Sequence, residues 1–278
     1  MKKITRRSFL AAAGLSVAAL ALTACGGSSS SVASSVASSA ASSEAASTSA
    51  AAELTTVEAG KLTMATNATF PPYEMTTDSG EFEGIDIDTA KAIADKLGLE
   101  LQIDDMDFDA ALLSVQQGKA DIAMAGVTVT DERKAVMDFS DSYATGIQSI
   151  IVPEGSDITS PDDLAGKKIG TQRGTTGYIY CSDDFGDDAV VAYDDGLTAV
   201  QALNNGQVDA VVIDNAPAKE FVAANPGLVI LDTSYAEEDY AIGLAKGSAL
   251  EDAVNAALEE LKADGTLQSI VDKYITAE

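Results

Sequence analysis

The chain has no histidine and no tryptophan. Without histidine it can build neither a Ser-His-Asp triad nor a Cys-His pair, and no histidine-ligated zinc site. Two cysteines among 278 residues are too few for a four-cysteine metal site. No metal or other cofactor is therefore expected. Cations are scarce: 17 Lys and Arg face 44 Asp and Glu, a formal charge of −27. A surface of that sign repels nucleic acid phosphates and anionic lipid headgroups, so neither is an expected partner of the folded part. Aromatic residues make up only 5%, yet 46% of the chain is apolar, as in ordinary globular proteins. The length allows one large domain or two of common size.

Long apolar runs are missing too. The longest, Phe9 to Leu22, is about 14 residues, too short to span a bilayer but suited to the apolar part of a signal peptide. Lys2, Lys3, Arg6 and Arg7 precede it. It closes in Leu22-Thr23-Ala24-Cys25, which resembles the lipobox of bacterial lipoproteins. That resemblance implies a signal peptide over 1–24 and a diacylated Cys25 as the mature N-terminus. Two acyl chains, of the palmitate kind, meet the requirement for stable anchoring. Thr5-Arg6-Arg7-Ser8-Phe9-Leu10 resembles a twin-arginine export motif, although position 11 is Ala rather than Lys. The general and twin-arginine routes both stay open. Without the four leading cations the mature chain has 13 cations against 44 acids, or −31. Residues 26–52 hold 12 Ser and 9 Ala among 27 and only one charge, Glu44. Such composition cannot offset the entropy of folding. Residues 25–56 are expected to be a flexible tether with a reach of about 30 Å.

From Leu54 onward strands and helices alternate. Leu62–Thr66, Leu99–Ile103 and Asp121–Val129 read as strands. Asp88–Leu97 and Asp109–Gln117 read as helices, closed by Gly98 and Gly118. Lys168–Thr171, Val190–Tyr193, Val208–Ile213 and Tyr240–Ala245 read as further strands. Thr175–Ser182, Leu197–Leu203, Ala218–Ala224, Leu250–Lys262 and Leu267–Tyr274 read as helices. Ser160-Pro161-Asp162-Asp163 carries a cap, a first-turn Pro and first-turn acids. The alternation predicts an α/β protein with parallel sheets covered by helices. Gly118-Lys-Ala-Asp121 before one apolar strand is echoed by Gly206-Gln-Val-Asp209 before another. That shared register predicts two similar lobes. The expected division is lobe 1 over 57–150 plus 241–278 and lobe 2 over 151–240, with crossovers at Ser149–Val152 and Tyr240–Leu244.

Open α/β sheets bind ligands at the C-terminal ends of their strands. Four segments lie there: Asn67-Ala68-Thr69-Phe70-Pro71-Pro72-Tyr73, Ala125-Gly126-Val127-Thr128 through Arg133, Gln172-Arg173-Gly174-Thr175-Thr176-Gly177, and Asp214. Read alone, each has an ordinary explanation. Arg133 fits a solvated helix start, Asp214 a cap for a helix at Asn215, and Phe70 and Phe108 the core. Gly174-Thr175-Thr176-Gly177 lacks the Gly-Lys-Ser/Thr of a P-loop, which argues against a nucleotide. The acid run Asp104–Asp109 fails the EF-hand pattern, because position six from Asp105 is Ala110 and position twelve is Gln116. Cys181, unpaired once Cys25 is lipidated, reads as a small apolar helix residue.

Together these segments, with Gly84-Ile85-Asp86-Ile87-Asp88, Phe108-Asp109-Ala110-Leu112's turn and Ala263-Asp264-Gly265-Thr266, resemble the extracellular solute-binding proteins of polar amino acid ABC importers across residues 60–276. The resemblance implies a two-lobe, Venus-flytrap fold of the periplasmic-binding-protein kind. It implies that Arg133 holds an amino acid carboxylate, with the amides of Thr128 and Thr176 adding donors. Asp214 would pair the ammonium, helped by the Gly126 carbonyl and the Thr128 hydroxyl. Phe70 and Phe108 would sandwich the side chain, and Asn67, Asp86, Ala125, Gln172, Gly174 and Thr175 would complete the pocket. Asn67 stands where relatives that bind cationic side chains, or glutamine, often carry Asp, and Gln172 where others carry Lys or Leu, so the resemblance favours a neutral polar ligand or cystine; Asp86 keeps a cationic one open.

The implied protein is a monomeric, membrane-anchored lipoprotein on the outer face of a bacterial membrane. Its partners would be a free amino acid and an ABC permease, and it would catalyse nothing. One alternative is an enzyme on the same fold, such as a cyclohexadienyl dehydratase-like lyase. It would need a cleft carboxylate as general acid, and no Glu belongs to the motif set. The other is a ligand-sensing domain, which would need a transmembrane helix and a signalling module, neither evident in the pattern.

Overall fold

The computed structural model describes residues 54–275. The expected signal peptide, Cys25 and tether residues 25–53 lie outside the described residues. The elements run β1 Lys61–Thr66, β2 Thr69–Phe70, β3 Glu74–Thr76, β4 Phe82–Glu83, α1 Ile85–Leu97, β5 Glu100–Asp105, α2 Phe108–Gln116, β6 Ile122–Ala123, α3 Asp131–Val136, β7 Met137–Phe139 and β8 Ala144–Pro153. They continue with β9 Ile169–Gln172, α4 Thr176–Phe185, β10 Val190–Tyr193, α5 Gly196–Asn204, β11 Ala210–Asp214, α6 Asn215–Ala224, β12 Leu228–Ile230, β13 Ala236–Tyr240, β14 Gly243–Ala245, α7 Glu251–Ala263 and α8 Thr266–Tyr274. Among the described residues no helix is long and apolar enough to cross a membrane.

Two sheets form the frame. The first has the order β5-β1-β6-β14-β7 and the second β10-β9-β11-β8-β12, with β13 also pairing β8. β1 is covered on both faces, so every residue from Leu62 to Thr66 is buried, the threonines included. It pairs in parallel with β5 and β6. β9 likewise pairs in parallel with β10 and β11. The sheets are not wholly parallel, as the alternation suggested. β14 runs antiparallel to β6 and β7, and β8 runs antiparallel to β11, β12 and β13. These are the segments where the chain passes between sheets without a crossover helix, so nothing forces the parallel sense.

Ser149–Val152, expected as a crossover, lies inside the ten residues of β8. The chain leaves the first sheet after Phe139 and enters the second at Ala144; it returns between Tyr240 and Gly243. The expected boundary at residue 150 thus falls within one strand of the second sheet. The expected strand Asp121–Val129 pairs only over Ile122–Ala123. Gly126 then turns it with φ +54°, a left-handed conformation that suits glycine. The freed loop crosses toward β13: Val129 N donates to Asp239 O at 3.0 Å, and Thr128 bridges to Tyr240. α1 ends as its sequence requires, with Gly98 at φ +69°. The last two helices pack on α1: Lys273 Nζ and Tyr274 Oη both reach Asp88 Oδ2, at 2.7 and 2.9 Å.

Candidate ligand-binding cleft

The loops at the strand ends of both sheets meet in one cleft. Its lining is Asn67, Phe70, Glu74, Phe108, Ala125, Gly126, Thr128, Arg133, Gln172, Thr175, Thr176 and Asp214. The structure therefore brings together eleven of the thirteen pocket residues named from sequence, drawn from both sheets. Gly174 lies just outside, contributing a carbonyl. Asp86 lies behind the lining: fully buried, its Oδ2 accepts from Gly126 N at 2.9 Å and from Tyr143 Oη at 2.8 Å. It shapes the loop that carries Ala125 and Gly126. Burial pushes its carboxyl up to about 6, while those two hydrogen bonds pull the other way.

Arg133 is not a solvated helix residue. It is 8% exposed on the first turn of α3, which Thr130 caps by accepting Arg133 N at 3.1 Å. The cap turns the side chain inward. Nη1 donates to Thr128 O at 2.7 Å and Nη2 to Gly174 O at 3.1 Å, while the guanidinium lies 5.3 Å from the centre of the Phe108 ring. Arg133 thus touches loops from both sides of the cleft. Burial pulls its pKa down, opposed by the charges of Glu238, Asp109 and Asp214, yet guanidinium stays protonated in proteins. Two of its five N–H groups are used on carbonyls; the rest are free to fork an anion.

Asp214 ends β11 and precedes α6 without making a side-chain cap bond, so the helix-cap reading does not hold. Its Oδ2 accepts from Gln148 Nε2 at 2.8 Å, and its buried Oδ1 has no partner. Burial pushes its carboxyl up to about 7, with the charge of Glu238 adding to the rise and Gln148 opposing it. A buried carboxylate in that state gains most from an arriving cation.

The remaining lining is fixed by turns. Thr175 caps α4, its Oγ1 accepting from Tyr178 N and donating to Gln172 O at 2.8 Å. Thr176 therefore starts the helix with its amide at the positive end of the dipole. Gly174 holds φ +74°, and a Cβ there would collide with the carboxylate of Asp109 from the opposite side. Phe70 stacks near Tyr73 at 5.9 Å, and a Cβ at Gly126 would come within 2.9 Å of the Phe70 ring.

Three residues of this region escaped the sequence reading. Glu74 sits directly opposite Phe70 in the β2–β3 ladder, so the two share a face and both enter the cleft. It is fully buried and both its oxygens lack partners. Burial raises its pKa well above the ordinary carboxylate value, and the charges of Asp86 and Asp214 add to this. Recognising the hairpin in residues 69–76 would have exposed it. Glu238 and Gln148 lie behind Asp214, on β13 and β8. Glu237-Glu238-Asp239 reads as a solvated acid run, but period-two burial puts Glu238 on the face of the fully buried Tyr240. Among the described residues no group of three acid or cysteine side chains could hold a metal, and Cys181 is buried and free.

Residues 62–277 match the family described as bacterial extracellular solute-binding proteins, family 3. A probable histidine-binding protein of Neisseria gonorrhoeae is 32% identical, over 96% of this chain and 95% of its own length. The L-cystine-binding protein of Escherichia coli K12 is 33% identical, over 80% of this chain and 85% of its own. Among solved structures, an ancestral arginine-binding protein bound to glutamine shares 43% identity with a TM-score of 0.75, covering 78% of this chain and 99% of that one. The arginine-, lysine-, histidine-binding protein of Geobacillus stearothermophilus shares 34% identity with a TM-score of 0.75, covering 78% of this chain and 96% of its own. Matched from residue 62 almost to its end, this chain belongs to the family 3 bacterial extracellular solute-binding proteins.

Proposed function

We propose that this chain captures a free polar α-amino acid outside the cell and delivers it to the permease of an ABC importer. The observation that carries the reading is that Arg133 and Asp214, one fixed cation and one buried carboxylate with an oxygen to spare, line the same cleft from opposite sheets. An α-amino acid presents the complementary pair on one carbon. Arg133 takes its carboxylate, with the amides of Thr128 and Thr176; Asp214 takes its ammonium, with the Gly126 carbonyl. The two sheets anchor two lobes, and ligand contacts from both favour the closed form, the one that docks on the permease. Cys25 tethers the molecule to the membrane as a monomer.

The side-chain end of the cleft supports a cationic ligand over the neutral one that the sequence favoured. Asn67 and Gln172 are occupied with each other, at 2.8 Å, while Glu74 faces the cleft with both oxygens free. The similar proteins from Geobacillus stearothermophilus and Neisseria gonorrhoeae are named for cationic or imidazole amino acids. Glu74 also removes one argument against an enzyme, because it is a cleft carboxylate with a raised pKa. The test covers both. In a thermal-shift screen of the twenty amino acids plus cystine, arginine, lysine or histidine should raise the midpoint most. No shift by any amino acid, together with turnover of a prephenate-like acid, would overturn the reading.

A further inference from the structure

Two of the three cleft threonines, Thr128 and Thr176, turn their hydroxyls toward a single carboxylate behind the lining. Thr128 Oγ1 lies 3.1 Å from Glu238 Oε2, and Thr176 Oγ1 lies 2.9 Å from the same oxygen. Thr128 comes from the loop after β6, Thr176 from the start of α4 and Glu238 from β13. Both hydroxyls donate to this one carboxylate oxygen. Their lone pairs are then what they present elsewhere.

The neighbouring amide enforces the same sense. Gln148 Nε2 lies 2.8 Å from Asp214 Oδ2, 3.1 Å from Glu238 Oε2 and 3.4 Å from Thr176 Oγ1. It has two hydrogens, and the two nearer acceptors are carboxylates, which make the stronger bonds. The reversed amide would aim its oxygen at both carboxylates, so the orientation is fixed. Neither threonine hydroxyl is left to donate into the cleft.

We infer that Glu238 is a positioning residue that sets the polarity of the Thr128 and Thr176 hydroxyls, making both acceptors for the ligand's ammonium. This rests on the amino acid reading above. It divides the cleft's labour. Side-chain oxygens (Asp214, Thr128, Thr176) accept from the ammonium, and the carboxylate is left to Arg133 and backbone amides. Were Glu238 a glutamine, its NH2 could donate to the threonines. Their hydroxyls would then aim hydrogen at the ammonium.

The experiment is a calorimetric comparison of each amino acid with its deaminated counterpart: L-arginine with 5-guanidinopentanoate, and L-glutamine with glutaramate. The readout is the dissociation constant of the deaminated acid divided by that of the amino acid, for wild type, Glu238→Gln, Thr176→Val and the double variant. Glu238→Gln is expected to lower the ratio about tenfold, the size of one charge-assisted hydrogen bond. Thr176→Val, which leaves the Glu238 charge in place, should lower it as well. The double variant should lose less than the product of the single losses, because both act through the same hydroxyl. Unchanged ratios overturn the inference, as does a loss confined to Glu238→Gln, which would mark a charge effect alone. Multiplying losses in the double variant overturn it too. Ligand-free melts of each variant separate misfolding from lost recognition. The pair used is that of the amino acid that the thermal screen selects; if the wild-type chain binds no amino acid, the functional reading fails first and the inference falls with it.

Discussion

Gln172 and Asn67 join the two sides of the cleft directly. Nε2 of Gln172, at the end of β9, donates to Oδ1 of Asn67, just after β1, at 2.8 Å. Both side chains are buried, and Asn67 is held in turn by its Nδ2 on Met106 O at 2.9 Å. The bond thus links a residue just after β1 in the first sheet to one at the end of β9 in the second.

A bond across the cleft should slow release more than entry, because it must break before the two sides separate. Gln172→Ala should raise the ligand dissociation rate about fivefold, the effect of a typical net hydrogen bond of about 1 kcal/mol, with association within twofold. Stopped-flow kinetics measures both. An unchanged dissociation rate would show that the contact does not oppose opening.

Arg133 reaches Thr128 O and Gly174 O with separate nitrogens, a fork that lysine cannot copy. Arg133→Ala should abolish the ligand-induced rise in melting midpoint. Arg133→Lys keeps the charge yet should still lose at least tenfold in affinity by calorimetry. A lysine variant with wild-type affinity would mean that charge alone suffices.

Three buried carboxyls have raised pKa values: Asp86 at about 6, Asp214 at about 7, and Glu74 in the same direction. A folded-state pKa above the unfolded one contributes stability below the unfolded value, near 4, and loses it as pH rises through the folded value. The ligand-free melting midpoint should therefore fall between pH 5 and pH 8, and the fall should shrink in Asp214→Asn. Ligand binding works against this shift, because an ammonium favours ionised Asp214. Binding should release a fraction of a proton near pH 6.5 and less at pH 8.5. Calorimetry in buffers of different ionisation enthalpy reads this; proton uptake would contradict the pairing.

Glu74 offers two free oxygens at the side-chain end. Glu74→Gln should cost arginine or lysine at least tenfold in affinity while changing glutamine by less than threefold. Competitive calorimetry separates them. Equal losses for both classes would place Glu74 in the scaffold rather than in recognition.

Much of this was legible in the sequence. Helix ends announced themselves through Gly98 and Gly118, and the parallel strands through their alternation with helices. The cleft segments stood at strand ends, but Arg133, Asp214 and the Gly174–Thr176 turn each had an ordinary explanation alone, and only the set of motifs together pointed to a pocket. Of the antiparallel strands, β7 and β12 were hidden, because each is only three residues long and carries too little period, whereas β14 lies inside the expected strand Tyr240–Ala245. Glu74 and Glu238 were hidden for another reason. An acidic residue in an acidic chain reads as surface, and only cross-strand pairing turns these two inward. Asp86 was named as a ligand contact, but the tight approach of Gly126 N to its carboxylate places it one layer behind.

The position of β14 bears on how the molecule is assembled. It lies between β6 and β7, in the middle of a sheet whose other strands all precede residue 140. A ribosome completes every strand of the second sheet, through Tyr240, before it makes Gly243. The half of the protein begun first is thus the half finished last, and until then β6 and β7 have no strand between them.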